Sequence, residues 1–268
     1  MRIGMPHMGN IYIPFKALFQ RLNIDYVIPP VNNQRTLSLG VKHSPEGLCI
    51  PFKLTLGNLI EAAELGADTL LIPGGYGICR LGYYAKTQEQ ILRDLGYNFE
   101  MIQAGVSERK LFGLLEIIKR LSNNAPWTKI ISAFRFGLAK LNALDRIERV
   151  VQKVRPVERI KGTANKLFTK AIKAIDNADD YNALKKVQVD YINQLNQVAK
   201  DNIQPLIVGI IGEFYVILEP FSNLDVESEL GKLGVEVRRT TFISEWTKFS
   251  LFLNPLGMNE KDRIHKAA

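Results

Sequence analysis

Thr69-Leu70-Leu71-Ile72-Pro73-Gly74-Gly75-Tyr76-Gly77-Ile78-Cys79-Arg80-Leu81-Gly82-Tyr83-Tyr84 is the stretch that decides how this chain folds. Its first four residues are a short apolar run, as expected of a strand buried on both faces of a parallel sheet. The run opens into a glycine-rich loop, then a helix over Leu81–Leu95 closed by Gly96, then a strand over Phe99–Gln103. Upstream, Arg2–Pro6 reads as a first strand. Ile11–Leu22 reads as an amphipathic helix, with Ile11, Phe15, Leu18, Phe19 and Leu22 at helical spacing. Tyr26–Ile28 is a second strand stopped by Pro29-Pro30, and Pro51–Leu65 a helix ending at Gly66. Val31–Leu48 reads as irregular, punctuated by Asn32-Asn33, Gly40, Pro45 and Gly47. This β-α-β-α-β-α-β order with short joints predicts a parallel sheet with crossover helices. Such sheets bind ligands at the loops leaving the carboxyl ends of their strands, where the loop carrying Cys79 lies.

From Ser107 to about Asp201 the pattern is helical, with breaks at Asn123–Pro126, Arg155-Pro156, Gly162 and Asn177–Asp180. Pro205–Gly212 then restarts the β pattern as a second buried strand. A helix over Leu224–Leu233, closed by Gly234, and a strand over Val235–Val237 follow. The expected fold is α/β, with two Rossmann-like parallel-sheet halves and an all-helical insertion. A first α/β unit over residues 1–106 carries both cysteines, helices occupy 107–203, and a second α/β unit starts over 204–268.

Composition narrows the class. The chain has 268 residues, 46% hydrophobic and 23% charged, which suits a globular protein with a substantial core. Its longest apolar run, Pro205–Phe221, is interrupted by Glu213 and Glu219, so no membrane span is expected. Arg2-Ile3-Gly4-Met5-Pro6 has no signal-peptide layout, and a cytoplasmic location is expected. The net charge of +8 is uneven: residues 107–175 hold 16 Lys/Arg against 5 Asp/Glu. A solvated helix face is the simplest reading, and an acidic partner docking there is the functional one. No nucleic-acid motif accompanies the charge, so nucleic-acid binding is not expected.

Cys49, in Gly47-Leu48-Cys49-Ile50-Pro51, and Cys79 are the only cysteines, and each stands where a loop turns into a helix. A helix N-terminus stabilises thiolate over thiol, so two such groups near one sheet edge could share a metal. Spacing alone favours the plainer reading of two buried packing cysteines. Two features argue for a site. Gly75 and Gly77 leave room for a bulky ligand beside Cys79 and can present backbone N–H groups, and Arg80 adds positive charge. The loop is neither a Walker A loop nor G-x-G-x-x-G, which removes the nucleotide fingerprints. His7, at the end of the first strand, reads either as a residue pointing toward the same sheet edge as Cys79 or, more simply, as a surface loop histidine. Glu213 reads either as an acid, base or oxygen ligand at that cleft or as a solvated carboxylate. Tyr83 and Tyr84 read as helix-packing residues.

A family resemblance rests on particular residues. They are Cys49-Ile50-Pro51-Phe52-Lys53-Leu54 with Gly57-Asn58, then Gly77-Ile78-Cys79-Arg80-Leu81-Gly82-Tyr83-Tyr84, then Leu92-Arg93-Asp94-Leu95-Gly96-Tyr97. Val208–Val216 with Pro220-Phe221-Ser222-Asn223 adds a later match. Together these resemble iron–sulfur proteins related to 2-hydroxyacyl-CoA dehydratase subunits, in the dehydratase D-component-like, CoA-substrate-specific activase-related branch. The resemblance implies a [4Fe-4S] cluster at a cleft between two α/β halves, with Cys49 and Cys79 as ligands. It implies a place in anaerobic metabolism, accepting a low-potential electron from an ATP-dependent activator or another redox partner. True dehydratases of the group use that electron to eliminate water from a 2-hydroxyacyl-CoA, so an acyl-CoA partner and a lyase component are implied too. The family supplies a further cysteine from a later loop, and this sequence has none. Against the family the chain is expected to be shortened at its C-terminus, and a homodimer could assemble four thiolates. No catalytic residue is assigned. The rival expectation is a cofactor-free binding or scaffold protein whose basic helices dock an acidic partner.

Overall fold

The computed structural model describes residues 1–73, 80–104, 110–239 and 242–244. Strands β1 (Arg2–Gly4), β2 (Asp25–Val27), β3 (Thr69–Pro73) and β4 (Glu100–Ala104) form one parallel sheet in the order β2-β1-β3-β4. Ile3 pairs with Tyr26 on one side and Thr69 on the other, and Leu70 pairs with Met101. Side chains alternate across β3 as the strand period requires. Leu70 and Ile72 enter a core with Phe52, Leu56, Leu59 and Leu92, while Leu71 joins Ile3, Phe19, Ile102 and Ile130 on the opposite face. Covering both faces is what a run such as Thr69–Ile72 demands. Helices α1 (Tyr12–Arg21) and α3 (Ile50–Glu64) provide part of that cover. So does α4 (Tyr84–Asp94), entered through a 3₁₀ turn at Arg80–Tyr83.

The segment expected to be irregular contains a helix, α2 (Gln34–His43). Asn33, read as a turn residue, is its N-cap, and its side-chain oxygen accepts from the N–H groups of Arg35 and Thr36. Gly40, read as a breaker, lets α2 lie directly on α3: a Cβ there would stand 1.7 Å from the Lys53 carbonyl oxygen. Gly57 on α3 makes the reciprocal approach, with 2.0 Å to the Thr36 carbonyl oxygen.

Four helices follow, α5 (Lys110–Leu121), α6 (Trp127–Val154), α7 (Thr163–Asn177) and α8 (Tyr181–Asn196). Their joints coincide with the Asn, Pro and Gly clusters of the sequence. Asn123 and Asn124 adopt φ of 51° and 60°, and Gly162 caps α7 at 90°. At 28 residues α6 runs about 42 Å and forms a core with α1, α7 and α8 around Ile147, Val151, Ala171 and Leu195. Many cations of the basic segment are engaged here. Lys140 donates to the Asp176 carbonyl at 2.8 Å, Arg159 pairs with Asp201 at 3.1 Å, and Arg149 lies over the Phe242 ring at 3.7 Å. The segment is more than a solvated face.

A second parallel pair joins β5 (Leu206–Ile210) to β6 (Val235–Arg239) through α9 (Phe214–Leu218) and α10 (Val226–Lys232). Strand β5 is not buried as its sequence predicts. Leu206 is 68% exposed and Ile207, on the other face, 48%, because among the described residues β5 has a single neighbouring strand. Helix α10 is shorter than expected, since Leu224 and Asp225 at its start have φ of 59° and 53°. Among the described residues no helix is long and apolar enough to cross a membrane.

Candidate functional site at the carboxyl edge of the first sheet

The strand order places a topological switch between β1 and β3: the chain turns outward from β1 to β2, then crosses to β3. In open α/β sheets the crevice at such a point receives the ligand. Its floor is built by the loop after β1, the N-terminus of α3, the start of α4, and α9 with the turn behind it.

Cys49 is the N-cap of α3, with Pro51 in the first turn. It is half-buried, and its Sγ lies 2.5 Å from the Tyr84 hydroxyl at the first residue of α4. Tyr84 is buried and packs edge-on against Phe52 at 5.0 Å between centroids. Four residues along α4, Gln88 donates to the Phe52 carbonyl at 3.2 Å and to Thr55 Oγ1 at 2.8 Å. Tyr84 and Gln88 therefore clamp the start of α4 to the first turns of α3. Tyr83, expected to pack, is instead 68% exposed. Cys79, Gly75 and Gly77 lie outside the described residues. Arg80 opens the 3₁₀ turn that leads into α4.

His7 departs from expectation, being 2% exposed rather than a surface residue. Its N–H donates to Asn58 Oδ1 at 3.0 Å, and its Nε2 donates to the Pro29 carbonyl at 2.7 Å. That bond assigns the proton to Nε2 and leaves Nδ1 a buried acceptor with no protein partner. Burial pushes the His7 pKa below its ordinary 6.5, against the opposing pull of the Pro29 bond and the Glu219 and Glu61 charges. A depressed folded value contributes stability that is complete above 6.5 and is lost as pH falls through it. His7→Gln is accordingly expected to show a smaller drop in urea midpoint between pH 7.5 and 5.5 than the parent. Equal drops would show that the folded-state pKa of His7 is not depressed.

Glu219 is 2% exposed and accepts from the Gly9 N–H at 2.8 Å, pinning the loop after β1 to the end of α9. Gly9 has φ of 54°, and a Cβ there would meet the Leu218 carbonyl oxygen at 2.5 Å, so this approach needs glycine. Tyr215, 1% exposed, accepts from Asn32 Nδ2 at 3.2 Å, and burial holds its phenol far above the ordinary range. Glu213 points elsewhere: it is exposed, and its carboxylate accepts from Val216 N–H at 2.9 Å as the N-cap of α9. Asn32 Oδ1, Asn58 Nδ2 and Gln88 Oε1 are, with His7 Nδ1, buried polar atoms lacking protein partners around this edge. Among the described residues the crevice floor thus offers the Cys49 sulfur, the buried Tyr215 hydroxyl, the Glu219 carboxylate and three amides with one unpartnered atom each. Among the described residues no three His, Cys, Asp or Glu side chains converge to hold a metal ion.

Sequence reasoning missed Asn58, Glu219 and the Cys49–Tyr84 contact as parts of this edge. Glu219 did leave a signal, a carboxylate inside the apolar run 205–221. The profile of the CoA enzyme activase uncharacterised domain family (DUF2229) matches residues 2–243. The chain belongs to this family. No curated protein and no solved structure matches the chain. The matched span contains β1 to β6 and both cysteines, so the family assignment covers the whole crevice.

Proposed function

We propose that this chain is the cluster-carrying, electron-accepting component of a CoA-enzyme activase system, with Cys49 and Cys79 as thiolate ligands of a [4Fe-4S] cluster. The observation that carries this reading is the Cys49–Tyr84 contact, because it brings the Cys49 sulfur to the first residue of α4, the helix that follows Cys79 in sequence after the Arg80–Tyr83 turn. Location at the switch point and the N-cap position of Cys49 support it. When bound, such a cluster supplies one-electron transfer at low potential. The chain's own residues orient and enclose it: Tyr84 directs its hydroxyl at the Cys49 sulfur, and the clamp through Gln88 keeps α3 and α4 in register. An ATP-dependent activator would be the electron donor and an acyl-CoA the downstream partner. Two thiolates leave further ligand positions to another donor or to a second copy.

Anaerobic reconstitution tests the reading. Wild-type protein should take up iron and sulfide in equal amounts with a visible charge-transfer band. Cys49→Ala and Cys79→Ala should each lose nearly all of both. Tyr84→Phe should keep the iron and shift the reduction potential or the band, since hydrogen bonds to cluster sulfurs tune potential. A colourless, iron-free wild-type protein after reconstitution would refute the proposal.

A further inference from the structure

A groove of about 570 Å³ runs between α6 and α8, a volume within the range of binding clefts. Ala139, Asn142 and Arg146 line it on one side, Tyr181, Lys185 and Val189 on the other. Each trio spans two helical turns, so the groove is about 10 to 12 Å long. Its surface is largely apolar, and Tyr181 is held there by an edge-on contact with Phe136 at 5.1 Å. The rim is cationic. Arg146 and Lys185 are exposed, and among the described residues neither has an ion-pair or hydrogen-bond partner. Arg135 and Lys153, also exposed, extend the same face of α6, about three turns before and two turns after Arg146. The two carboxylates of α6 turn inward: Asp145 accepts from the Ser244 N–H at 2.9 Å, and Glu148 pairs with Arg239 at 2.5 Å. On α8, Asp180 is spent as the N-cap, and Asp190 stands about 140° around the helix from Lys185.

We propose that this groove binds an acidic amphipathic helix of a partner protein. Two turns of that helix lay apolar side chains on Ala139, Tyr181 and Val189, while flanking carboxylates meet Arg146 and Lys185. Three observations choose this occupant. Cations on both rims complement a carboxylate-bearing ligand and repel a second copy of the same face. Helical anchors at i, i+3 or i+4 and i+7 span about 10 Å, which is the length of the groove. Both walls are helices whose backbone groups are already paired, so an extended peptide would lie over the apolar floor with its main chain unsatisfied, whereas a helix brings its own hydrogen bonds. The chain itself does not furnish the complementary charge. Its residues outside the described set hold five Lys/Arg and four Asp/Glu, without the negative excess that the rim calls for. The proposal does not rest on the cluster and applies to the cluster-free protein.

Selection from a displayed library of random peptides about four helical turns long tests it. The cluster-free chain is the bait, and the double variant Arg146→Glu/Lys185→Glu is the counter-selection. Enriched peptides should carry apolar residues at i, i+3 or i+4 and i+7, with Asp or Glu beside them. Fluorescence anisotropy of the most enriched peptide should show binding weakened about 10-fold or more between low and high salt, and about 30-fold or more by the double variant. Val189→Ser should weaken it on the order of 5-fold through the lost apolar contact. All three positions are exposed, so unchanged circular-dichroism spectra and melting temperatures would confirm that the variants fold. Absence of enrichment overturns the proposal. So does an enriched peptide that lacks acidic residues or the helical spacing, or one that the double variant binds as well as wild type does. Full affinity in Val189→Ser overturns the seating of a helix on the groove floor. Tighter binding of a single-stranded RNA or of phosphatidylserine vesicles, lost in the same double variant, would assign the face to nucleic acid or membrane and overturn the proposal as well.

Discussion

Gly57→Ala is expected to destabilise the protein by about 3 kcal/mol, lowering the melting temperature by about 10 °C. The added Cβ would stand 2.0 Å from the Thr36 carbonyl oxygen and 2.8 Å from its carbon. A backbone carbonyl inside a helix cannot rotate away as a side chain can, so the two helices must separate along their length. Gly40 makes the mirror contact one turn further on, so the helices touch backbone to backbone at two points four residues apart. Separation would also strain the buried Glu61, which accepts from Thr36 Oγ1 and Arg35 across the same interface, each at 3.0 Å. Because α3 begins at the Cys49 cap, displacement would be transmitted to the crevice floor. Gly47→Ala is the control. It has open space around the built Cβ and should change stability by less than about 0.5 kcal/mol. Thermal melts that agree within about 2 °C for the two variants would show that the α2–α3 approach is not rigid.

The same helix pair shows what sequence can and cannot disclose. Strand β3 and the breaks between α5, α6, α7 and α8 were legible because their signals are local: an apolar run, and Asn, Pro or Gly at the joints. Helix α2 was not legible, because Asn33 and Gly40 belong to the same residue types whether they break a helix, cap it or let it lie on a neighbour. Only the partner surface on α3 distinguishes these roles. His7 fails to read as buried for a related reason. Its enclosure comes from Asn58 and Pro29, 51 and 22 residues away, and no feature of Met5–Asn10 announces them. Strand β5 is the converse. Its local signal is that of a central strand, and among the described residues it has a single neighbouring strand. At the crevice, sequence identified the helix-start cysteine, while the partner of Cys49 depended on a contact between residues 35 apart.

Arg239→Met is expected to cost about 3–5 kcal/mol near neutral pH, and the deficit should shrink as the solution is acidified. Arg239 is the cation of a buried triad: Nη2 pairs with Glu148 at 2.5 Å and Nη1 with Glu227 at 3.1 Å, with side-chain exposures of 6%, 19% and 13%. The triad fastens β6 and α10 to α6, and Gln152 extends it with a bond to Glu227 at 3.0 Å. Methionine fills similar volume but leaves two carboxylates facing each other without the cation that pairs with both. Only the Arg155 charge, whose Nη1 bonds the Glu227 carbonyl at 3.3 Å, remains nearby, and the under-compensated carboxylate charge, rather than lost packing, makes the cost large. Burial already raises the Glu227 pKa above its ordinary 4.5 in the parent, with Arg239 opposing that shift. Removing the opposing cation raises it further. A group with a raised folded pKa is favourable to folding below its unfolded value and loses that contribution as pH rises through the folded one. The difference in urea stability between variant and parent should therefore be small near pH 4.5 and large at pH 7.5. Taking the difference removes the general acid destabilisation of a chain with net charge +8. A deficit independent of pH would assign the loss to packing and not to unpaired charge. Arg239→Lys separates the remaining possibility, since it keeps the charge but cannot serve both carboxylates with a planar fork. It should recover the pH profile of the parent while regaining only part of its stability.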